Sequence, residues 1–436
     1  MDPKLQIALE SQNPWWFSKG YDTGIYRLSK FPEILQYLDT REILLLSGAR
    51  RTGKSTLVYQ IIEHLLKNGI PKEEILYINL DEPLLISMAD DPTLLTGIIE
   101  EYQSSRGGQK RLYLCIDEVQ NYQYWPYAIK TVHDTRPGIK CILTGSTSAT
   151  LQRDISTRLS GRYFSCTIYP LSFPEFLSFR GFSVLTLTEK RQQFSLYLKY
   201  GGYPRVVLEE NDDLKYKILK NYYESTYLKD IILPNRLRNN SDVVSLLYYL
   251  ISNTGNLHSY NKIADALHIA AETVREYTEY AENAFLLYTL MKFDYSVKKQ
   301  MANPKKIYAL DTGLVNAVSF AFSENRGKLL ENLVFLALNR EYSEVFYHKE
   351  KYECDFVIKD GLKITKAFQV TLSLKDPETK KREIRGLTEA MNSYDLEEGT
   401  IITEEESDTI SIDGKTIHVI SAADWLCTIH KQQRDL

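Results

Sequence analysis

The sequence predicts an α/β protein with a parallel sheet in its N-terminal part, and three observations support this. Apolar strand-like runs alternate with helical patterns between residues 41 and 168. The run at 43–46 leads through a glycine-containing turn into a helical pattern at 56–62. The run at 112–116 ends in the acids Asp117 and Glu118. Sheets built from alternating strands and helices bind ligands at the carboxyl ends of their strands.

The amino-acid composition predicts a soluble protein with several domains. The chain has 436 residues, of which 43% are hydrophobic and 25% are charged, which is typical of a soluble protein with several domains. No run approaches the roughly 20 apolar residues of a membrane span, and the start lacks a secretory apolar region. The five cysteines are scattered without a C-x-x-C pair, so a reducing, cytoplasmic location is expected. The net charge of −4 gives no global nucleic-acid signature.

Residues 48–55 read G-A-R-R-T-G-K-S, the pattern of a phosphate-binding loop between a strand and a helix. The glycines let successive N–H groups face an anion at the helix N-terminus. Lys54 can reach the β- and γ-phosphates of ATP, and the Ser55 hydroxyl can ligate Mg²⁺. The alternative is a chance glycine turn before a buried helix. The candidate nucleotide-binding residues are Gly48, Ala49, Arg50, Arg51, Thr52, Gly53, Lys54, Ser55 and Thr56.

The paired acids after the second run complete this prediction. Asp117 would hold the Mg²⁺ shell, and Glu118 would polarise the attacking water, which favours hydrolysis over binding alone. A third apolar run, at 139–143, ends in small hydroxyl residues. Thr144 and Ser146 are candidates to sense the γ-phosphate there, and a serine-rich turn is the alternative.

The order of these segments resembles the AAA+ class of P-loop ATPases. More specifically, the chain resembles a prokaryotic, archaeal-type ATPase family that joins an AAA+ core to a PD-(D/E)xK restriction-nuclease-like domain. The shared motifs run collinearly over nearly the whole chain. They are N-P-W-W at 13–16, the phosphate loop, T-G-S at 144–146, L-S-G-R at 159–162, P-L-S-F-P-E-F at 170–176, G-G-Y-P at 201–204, K-I-Y-A-L-D-T-G-L at 306–314 and G-K-L-L-E-N at 327–332.

The resemblance implies a domain order. We expect an N-terminal segment (1–40), an AAA+ P-loop core (41–168), a helical lid (169–235), a winged helix (236–310) and a PD-(D/E)xK nuclease-like domain (311–436).

The resemblance also implies a homo-oligomeric ring, with six subunits expected, in which one subunit supplies an arginine to its neighbour's γ-phosphate. Arg162 is the first candidate for this catalytic arginine and Arg158 the second, since both precede the strand-like run at 163–168. An ordinary surface arginine is the alternative. Arg27, ahead of the core, is a candidate to line the nucleotide base or the subunit seam.

Residues 243–291 have helix-turn-helix spacing, with Thr273 and Arg275 near the start of the second helix, where DNA would be met. The predicted hairpin at 286–310 is rich in lysine, which suits phosphate contacts. The candidates there are Lys298, Lys299, Lys305 and Lys306. Four glutamates, at 272, 276, 279 and 282, would repel a phosphate backbone, so a protein-docking winged helix is the competing interpretation.

The nuclease-like domain places Glu331 on a helix, Asp355 on one strand and Gln369 on the next. A cutting site of this kind holds Mg²⁺ with carboxylates and uses a lysine to polarise water. Thr371 occupies the position where that lysine is expected, so Lys363, Lys366 or Lys375 would have to reach in. We therefore predict an inactive scaffold for DNA or subunit contacts.

The leading hypothesis is an oligomeric, Mg²⁺-dependent ATPase that remodels or translocates on duplex or branched DNA. The second is a nucleotide-gated regulatory switch that binds a protein effector. The third is an ATP-dependent nuclease.

Overall fold

A computed structural model describes residues 2–27, 30–105, 111–146, 155, 157–319 and 326–429. The chain forms two compact units, Met1–Tyr169 and Pro170–Leu436. Thr147 and Ser148, which follow the T-G-S motif at 144–146, lie outside the described residues. Within the described part of the chain, every helix is too short or too polar to span a bilayer.

The first unit is built on a five-stranded parallel sheet in the order β2-β3-β4-β1-β5. Its strands are β1 (Ile43–Ser47), β2 (Ile75–Asn79), β3 (Leu112–Asp117), β4 (Ile139–Gly145) and β5 (Tyr163–Thr167). β1 to β4 are almost entirely buried, because a parallel sheet covered on both faces needs continuous apolar runs. The described helices of this unit are α1 (Pro3–Gln12), α2 (Phe31–Leu35), α3 (Lys54–Lys67), α4 (Pro83–Ser87), α5 (Leu94–Ser105) and α6 (Trp125–Thr135).

The N-P-W-W motif packs against the edge strand β2. The buried Asn13 side chain donates to the Tyr77 carbonyl at 2.8 Å and accepts from the Tyr77 N–H at 2.8 Å. Trp16 donates its indole N–H to the Ile75 carbonyl at 3.0 Å and stacks on Tyr102. These side chains therefore satisfy backbone groups that an edge strand would otherwise leave unpaired.

The second unit begins with helices that we predicted as a lid on the core. They are α7 (Phe173–Phe179), α8 (Leu187–Tyr200), α9 (Pro204–Val207) and α10 (Asp212–Thr226), followed by a π-helical turn at Tyr227–Ile232. Buried Asp311 accepts hydrogen bonds from the N–H groups of Gly202 (2.7 Å) and Gly313 (2.9 Å). A Cβ on Gly201 would lie 1.9 Å from the Asp311 carboxylate. This close approach joins the helices to the segment around Asp311, later in the same unit.

The next part of the second unit combines four helices with a three-stranded antiparallel sheet. In chain order it contains α11 (Asn240–Ser252), β6 (Leu257–His258), α12 (Tyr260–Leu267), α13 (Ala271–Asn283), β7 (Leu287–Leu290), α14 (Val297–Ala302) and β8 (Lys305–Ala309). The sheet order is β6-β8-β7, so β7 and β8 form a hairpin with α14 at its far end. We call β7, α14 and β8 together the lysine hairpin.

The C-terminal part contains a six-stranded mixed sheet in the order β13-β14-β12-β11-β10-β9. Its strands are β9 (Val345–Lys349), β10 (Glu353–Asp360), β11 (Lys363–Val370), β12 (Glu398–Thr403), β13 (Asp408–Ile412) and β14 (Lys415–Ser421). The accompanying helices are α15 (Thr312–Val318), α16 (Arg326–Glu341), α17 (Pro377–Ser393) and α18 (Ala422–Thr428). The pairing of β10 with β9 shifts between Cys354 and Val357, and such irregularities re-aim nearby side chains such as Asp355.

Replacing Asn13 with Ala should destabilise the first unit. The substitution leaves the buried N–H and carbonyl of Tyr77 without their side-chain partner, which should lower the free energy of unfolding by about 2 to 4 kcal/mol. Urea unfolding followed by tryptophan fluorescence measures the loss. Asn68→Ala is the matched control, because that amide is exposed and, among the residues that the structure describes, bonds to the His64 carbonyl of its own helix alone. Equal midpoints for the two variants would contradict the role given to Asn13.

Candidate functional site

The predicted nucleotide-binding groups meet at the carboxyl ends of three strands of the first sheet. β4 lies between β1 and β3, and all three strands run in the same direction. Their carboxyl ends carry the phosphate loop after β1, Asp117 at the end of β3 and Thr144 near the end of β4. The parallel register thus brings together three segments that are far apart in the sequence.

Glycine is required in the phosphate loop for two different reasons. A Cβ at position 48 would lie 2.3 Å from the Ile168 carbonyl oxygen, so no larger residue fits. Gly53 caps α3 with a φ of 95° and has open space around it, so backbone conformation rather than crowding selects glycine there. Arg51 also adopts a left-handed conformation, with a φ of 65°.

Hydrogen bonds within the first unit hold this loop in shape. The Lys54 ammonium, almost fully buried, donates to the carbonyls of Gly48 (3.0 Å) and Ala49 (2.9 Å). The Thr52 hydroxyl donates to the Ala49 carbonyl at 2.9 Å.

Arg27 also supports the loop. It donates to the Thr52 carbonyl at 3.2 Å and to the Tyr169 carbonyl at 2.9 Å, and it is only 4% exposed. The expectation that Arg27 lines the nucleotide base or a subunit seam is therefore wrong, because the side chain is buried against the loop itself. Of the remaining loop residues, Arg50, Ser55 and Thr56 are partly exposed and Arg51 is exposed.

Two hydroxyl groups hold the carboxylate of Asp117. Tyr77 donates to Oδ2 at 2.8 Å, and Thr144 donates to Oδ1. The Thr144 hydroxyl also accepts the N–H of Glu118 at 3.0 Å. Thr144 was predicted to sense the γ-phosphate, whereas its fully buried hydroxyl instead fixes the two acids relative to each other. Burial and the charge of Asp117 both raise the pKa of the Tyr77 phenol, so it remains a donor.

Glu118 is held by a pair of polar side chains. Its backbone is left-handed, with a φ of 55°, an uncommon conformation for a residue with a side chain. Gln120 donates to its carboxylate, and the Ser146 hydroxyl lies 3.2 Å from the same oxygen, Oε2. Gln120 also donates to Ser146 at 2.9 Å. Ser146 was a predicted candidate, but Gln120 was missed, and its position two residues after Glu118 was the available signal.

The two candidate arginines of the oligomer seam lie near α6. The Arg162 guanidinium lies 2.9 Å from Asp134 Oδ1 and is about one-third exposed. This contact lowers the pKa of the Asp134 carboxyl. Arg158 lies over the ring of Tyr127 at 3.9 Å. Solvent screens an ion pair at the surface, so Arg162 can exchange its partner readily.

The groups at the carboxyl ends of β1, β3 and β4 suit a Mg²⁺–nucleotide complex. Mg²⁺ prefers oxygen ligands and is usually held by one or two protein groups together with phosphates. Asp117 supplies a buried carboxylate whose two oxygens each retain acceptor capacity beside one hydroxyl donor. Ser55 lies in the first turn of α3, next to Lys54. These groups can position phosphates and an ion, and the Glu118 carboxylate can accept a proton from a water molecule.

The candidate DNA contacts of the second unit divide into accessible and buried residues. Arg275 on α13 and both Lys298 and Lys299 on α14 are exposed, and Thr273 is half-buried. Lys305 is half-buried, with its ammonium 4.8 Å from the centre of the Tyr260 ring.

Lys306 is not a surface contact, so its assignment to DNA was wrong. Its side chain is 1% exposed, and its ammonium lies 2.9 Å from Glu331, 2.8 Å from Glu353 and 2.9 Å from Asp355. Lys305 and Lys306 are adjacent on β8, and successive side chains of a strand point to opposite faces. Only one of the two can therefore reach solvent freely.

The three residues named for a degenerate nuclease site do lie together. Lys306 contacts Glu331 and Asp355, and the Gln369 amide oxygen accepts the Asp355 N–H at 3.1 Å. The lysine comes from β8 rather than from position 363, 366 or 375, and Lys366 contacts Tyr342 instead. Burial raises the pKa of the Asp355 carboxyl to about 6, although Lys306 opposes the shift.

This acidic cluster forms the floor of an open cleft of about 980 Å³. The cationic side chains of its walls are Lys328, Lys349, Lys351, Lys375 and Arg382.

Comparisons of sequence extend over most of the chain. A family model described as "AAA domain" matches residues 40–177, and one described as a domain of unknown function matches residues 191–325. The uncharacterized protein MJ1544 of Methanocaldococcus jannaschii is 32% identical over 410 residues, which are 89% of this chain and 88% of that protein. An uncharacterized protein of Haemophilus influenzae is 32% identical over 411 residues, 92% of this chain and 98% of that protein.

Solved structures are similar in part. The Walker-type ATPase paby2304 of Pyrococcus abyssi has a TM-score of 0.45 and 16% identity, covering 68% of this chain and 96% of that chain. AMPPCP-bound DnaA from Aquifex aeolicus has a TM-score of 0.30 and 14% identity, covering 59% of this chain and 89% of that chain. Scores this low describe a partial likeness of fold. The "AAA domain" match confirms the predicted P-loop core. Because the two relatives are each 32% identical over most of the chain, the chain belongs to the same family as MJ1544 and the H. influenzae protein, with an AAA-type ATPase domain in its N-terminal part.

Proposed function

We propose that the chain hydrolyses ATP with Mg²⁺ at the edge of the first sheet and uses the cycle to act on DNA. The observation that carries the proposal is the convergence of Lys54, Asp117 and Glu118 at the carboxyl ends of the parallel strands β1 and β3, which flank β4. Ser55 and Asp117 would hold the ion, which supplies charge neutralisation to the phosphates. Lys54 would leave its loop carbonyls for the β- and γ-phosphates. Glu118 would accept the proton of the attacking water.

Glu118→Gln should separate binding from hydrolysis. The amide keeps the size of the side chain but cannot accept a proton, so kcat should fall about 10²- to 10⁴-fold while ATP affinity is retained. Lys54→Ala should instead weaken ATP binding, because it removes the cation from the phosphates. Steady-state phosphate release and titration with a fluorescent ATP analogue measure the two effects.

Glu378→Gln, an exposed acid on α17, is the matched control and should leave both quantities unchanged. An unaltered basal rate in Glu118→Gln would exclude Glu118 as the group that handles water.

The proposal includes a homo-oligomer, because the arginine assigned to catalysis would act on a neighbouring subunit. Arg162 is favoured over Arg158, since it is held by one exposed ion pair with Asp134. Exchange of Asp134 for a neighbour's γ-phosphate would keep the guanidinium paired with an anion throughout the cycle. A ring of six subunits is the expected assembly.

Mixing two inactive variants tests this arrangement. Arg162→Ala should lower kcat about 10³-fold or more, as expected when an arginine acting in trans is lost. Mixed with Lys54→Ala, it should regain activity, because some seams then join an intact nucleotide site to an intact Arg162. Phosphate release across mixing ratios measures the recovery. Co-purification of the two variants through different affinity tags shows that mixed assemblies have formed. Lack of recovery in such assemblies would argue that Arg162 does not act in trans. A larger loss of kcat in Arg158→Ala would move the assignment to Arg158.

The second unit is proposed to carry a winged helix that meets DNA through the lysine hairpin. Lys298 and Lys299 are exposed on α14 and supply positive charge to a phosphate backbone. Three exposed apolar side chains share this tip, namely Tyr295, Val297 and Met301. Apolar side chains beside lysines suit the sugar faces and base edges of a groove better than they suit free solvent.

The double variant Lys298→Ala/Lys299→Ala should bind duplex DNA more weakly. Each lost phosphate contact should also reduce the slope of log affinity against log salt by about 0.9. Fluorescence anisotropy with a labelled duplex at several salt concentrations measures both quantities. The control is Lys217→Ala/Lys220→Ala, two exposed lysines on α10. Identical slopes for the wild type and the hairpin variant would remove this surface from the proposal.

A regulatory switch that binds a protein remains the second candidate, because α13 exposes Glu272, Glu276 and Glu279. These acids would repel phosphates if the helix entered a groove. Slow ATP turnover without salt-dependent DNA binding in the same anisotropy experiment would favour this alternative.

The C-terminal part is proposed to bind DNA or neighbouring subunits without cutting DNA. One support is Thr371, directly after β11, which lacks the charge of the lysine that a cutting site would carry there. The other is Lys306, whose ammonium occupies the acidic cluster. An ammonium that is bound by three carboxylates is poorly placed to activate water.

A further inference from the structure

The acidic cluster and the Lys306 ammonium match each other in number and geometry. A lysine ammonium has three N–H donors and no acceptor. Here the ammonium nitrogen lies 2.8 to 2.9 Å from one oxygen of each of three carboxylates, those of Glu331, Glu353 and Asp355. All three donors are therefore used, and none is left for a substrate oxygen or a water molecule.

The outer oxygens of the cluster have partners as well. The second oxygen of Glu331 lies 2.8 Å from the Lys328 ammonium, and that of Glu353 lies 2.9 Å from the Lys349 ammonium. The second oxygen of Asp355 accepts the Val370 N–H at 3.0 Å. Three carboxylates thus face three ammonium groups, and the charge of the cluster is balanced without an ion.

The resemblance to a PD-(D/E)xK domain implies a divalent ion at such carboxylates, but the residues present do not fit one. Mg²⁺ requires oxygens at about 2.0 to 2.1 Å in octahedral geometry, whereas here the centre of the cluster holds a nitrogen. Among the described residues, no group of three or more His, Cys, Asp or Glu side chains is arranged to hold a metal.

The position of the cluster in the second unit suggests what the ammonium does there. Lys306 lies on β8 of the lysine hairpin, Glu331 on α16, and Glu353 and Asp355 on β10 of the C-terminal sheet. Asn332 reinforces the same junction, since its side chain accepts the Ala309 N–H at 2.8 Å and donates to the Ala309 carbonyl at 3.0 Å. The contacts join the hairpin to the C-terminal sheet.

We infer that Lys306 is a resident cation that takes the place of a divalent ion among Glu331, Glu353 and Asp355. The cluster is then a metal-independent joint between the lysine hairpin and the C-terminal sheet. A force on the hairpin would pass to the sheet through this joint whatever the Mg²⁺ concentration. The inference deepens the proposed lack of nuclease activity and requires neither ATP hydrolysis nor DNA binding, so it can fail separately from them.

Removing the ammonium tests the inference directly. Lys306→Ala leaves three buried carboxylates around an opened space, and such a cluster should either take up a cation or lose stability. The experiment measures Mn²⁺ binding to the full chain without nucleotide, by the loss of the free Mn²⁺ signal in electron paramagnetic resonance. Without nucleotide, the phosphate loop lacks the phosphates that normally complete its ion site.

The wild type should bind no stoichiometric Mn²⁺, and Lys306→Ala should bind one ion per chain. The double variant Lys306→Ala/Asp355→Asn should lose that binding. Thermal unfolding should show a lowered midpoint for Lys306→Ala that Mn²⁺ raises again, with no Mn²⁺ effect on the wild type. Lys220→Ala, which removes an exposed lysine of α10, is the matched control and should behave as the wild type does.

Two results would overturn the inference. One is a folded Lys306→Ala variant that neither binds Mn²⁺ nor differs from the wild type in stability. The other needs no variant at position 306, and so it applies even if Lys306→Ala fails to fold. It is Mn²⁺ binding, or Mn²⁺-dependent DNA cleavage, by the wild type that disappears in Asp355→Asn.

Discussion

The parallel register of β1, β4 and β3 is the constraint on which the nucleotide site depends. Ser47 pairs with Gly145 and Ile116 pairs with Leu143, so the three strands end at the same level. That alignment allows one hydroxyl, that of Thr144, to bind Asp117 and the N–H of Glu118 together. The network extends outward, because Tyr77 binds Asp117 while its own backbone is held by Asn13. A residue near the N-terminus thereby supports the acidic end of β3.

In the second unit, buried charges connect segments of the chain that are far apart in the sequence. A buried carboxylate is tolerated only where hydrogen bonds or opposite charges compensate its lost hydration. Asp311 satisfies this requirement with backbone N–H groups from the G-G-Y-P and D-T-G segments, and burial raises its pKa to about 6. Glu331 and Asp355 satisfy it with Lys306. Motifs that are separate in the sequence thus prove to be contact partners.

Much of the candidate site could be predicted from the sequence, because short segments with fixed spacing encode it. The phosphate loop, Asp117 and Glu118 each follow an apolar run, and strand order then places them together. The spacing of Gln120, two residues after Glu118, was the available signal for it, but the left-handed turn at Glu118 is what aims its amide at the carboxylate. Arg27 was noticed but misplaced, because its contacts with Thr52 and Tyr169 join residues distant in the sequence.

The sequence by itself determined the α/β class, the AAA-type core and the candidates for phosphate binding, since local patterns of apolar and glycine residues carry that information. Only the tertiary structure decided the roles of the lysines in the hairpin. Composition made Lys305 and Lys306 look equivalent, but the alternation of side chains along β8 separates them. Packing against α16 and β10 then surrounds Lys306 with carboxylates from positions 331, 353 and 355. Such a long-range arrangement of charge has no local signature, because it exists only when the chain has folded.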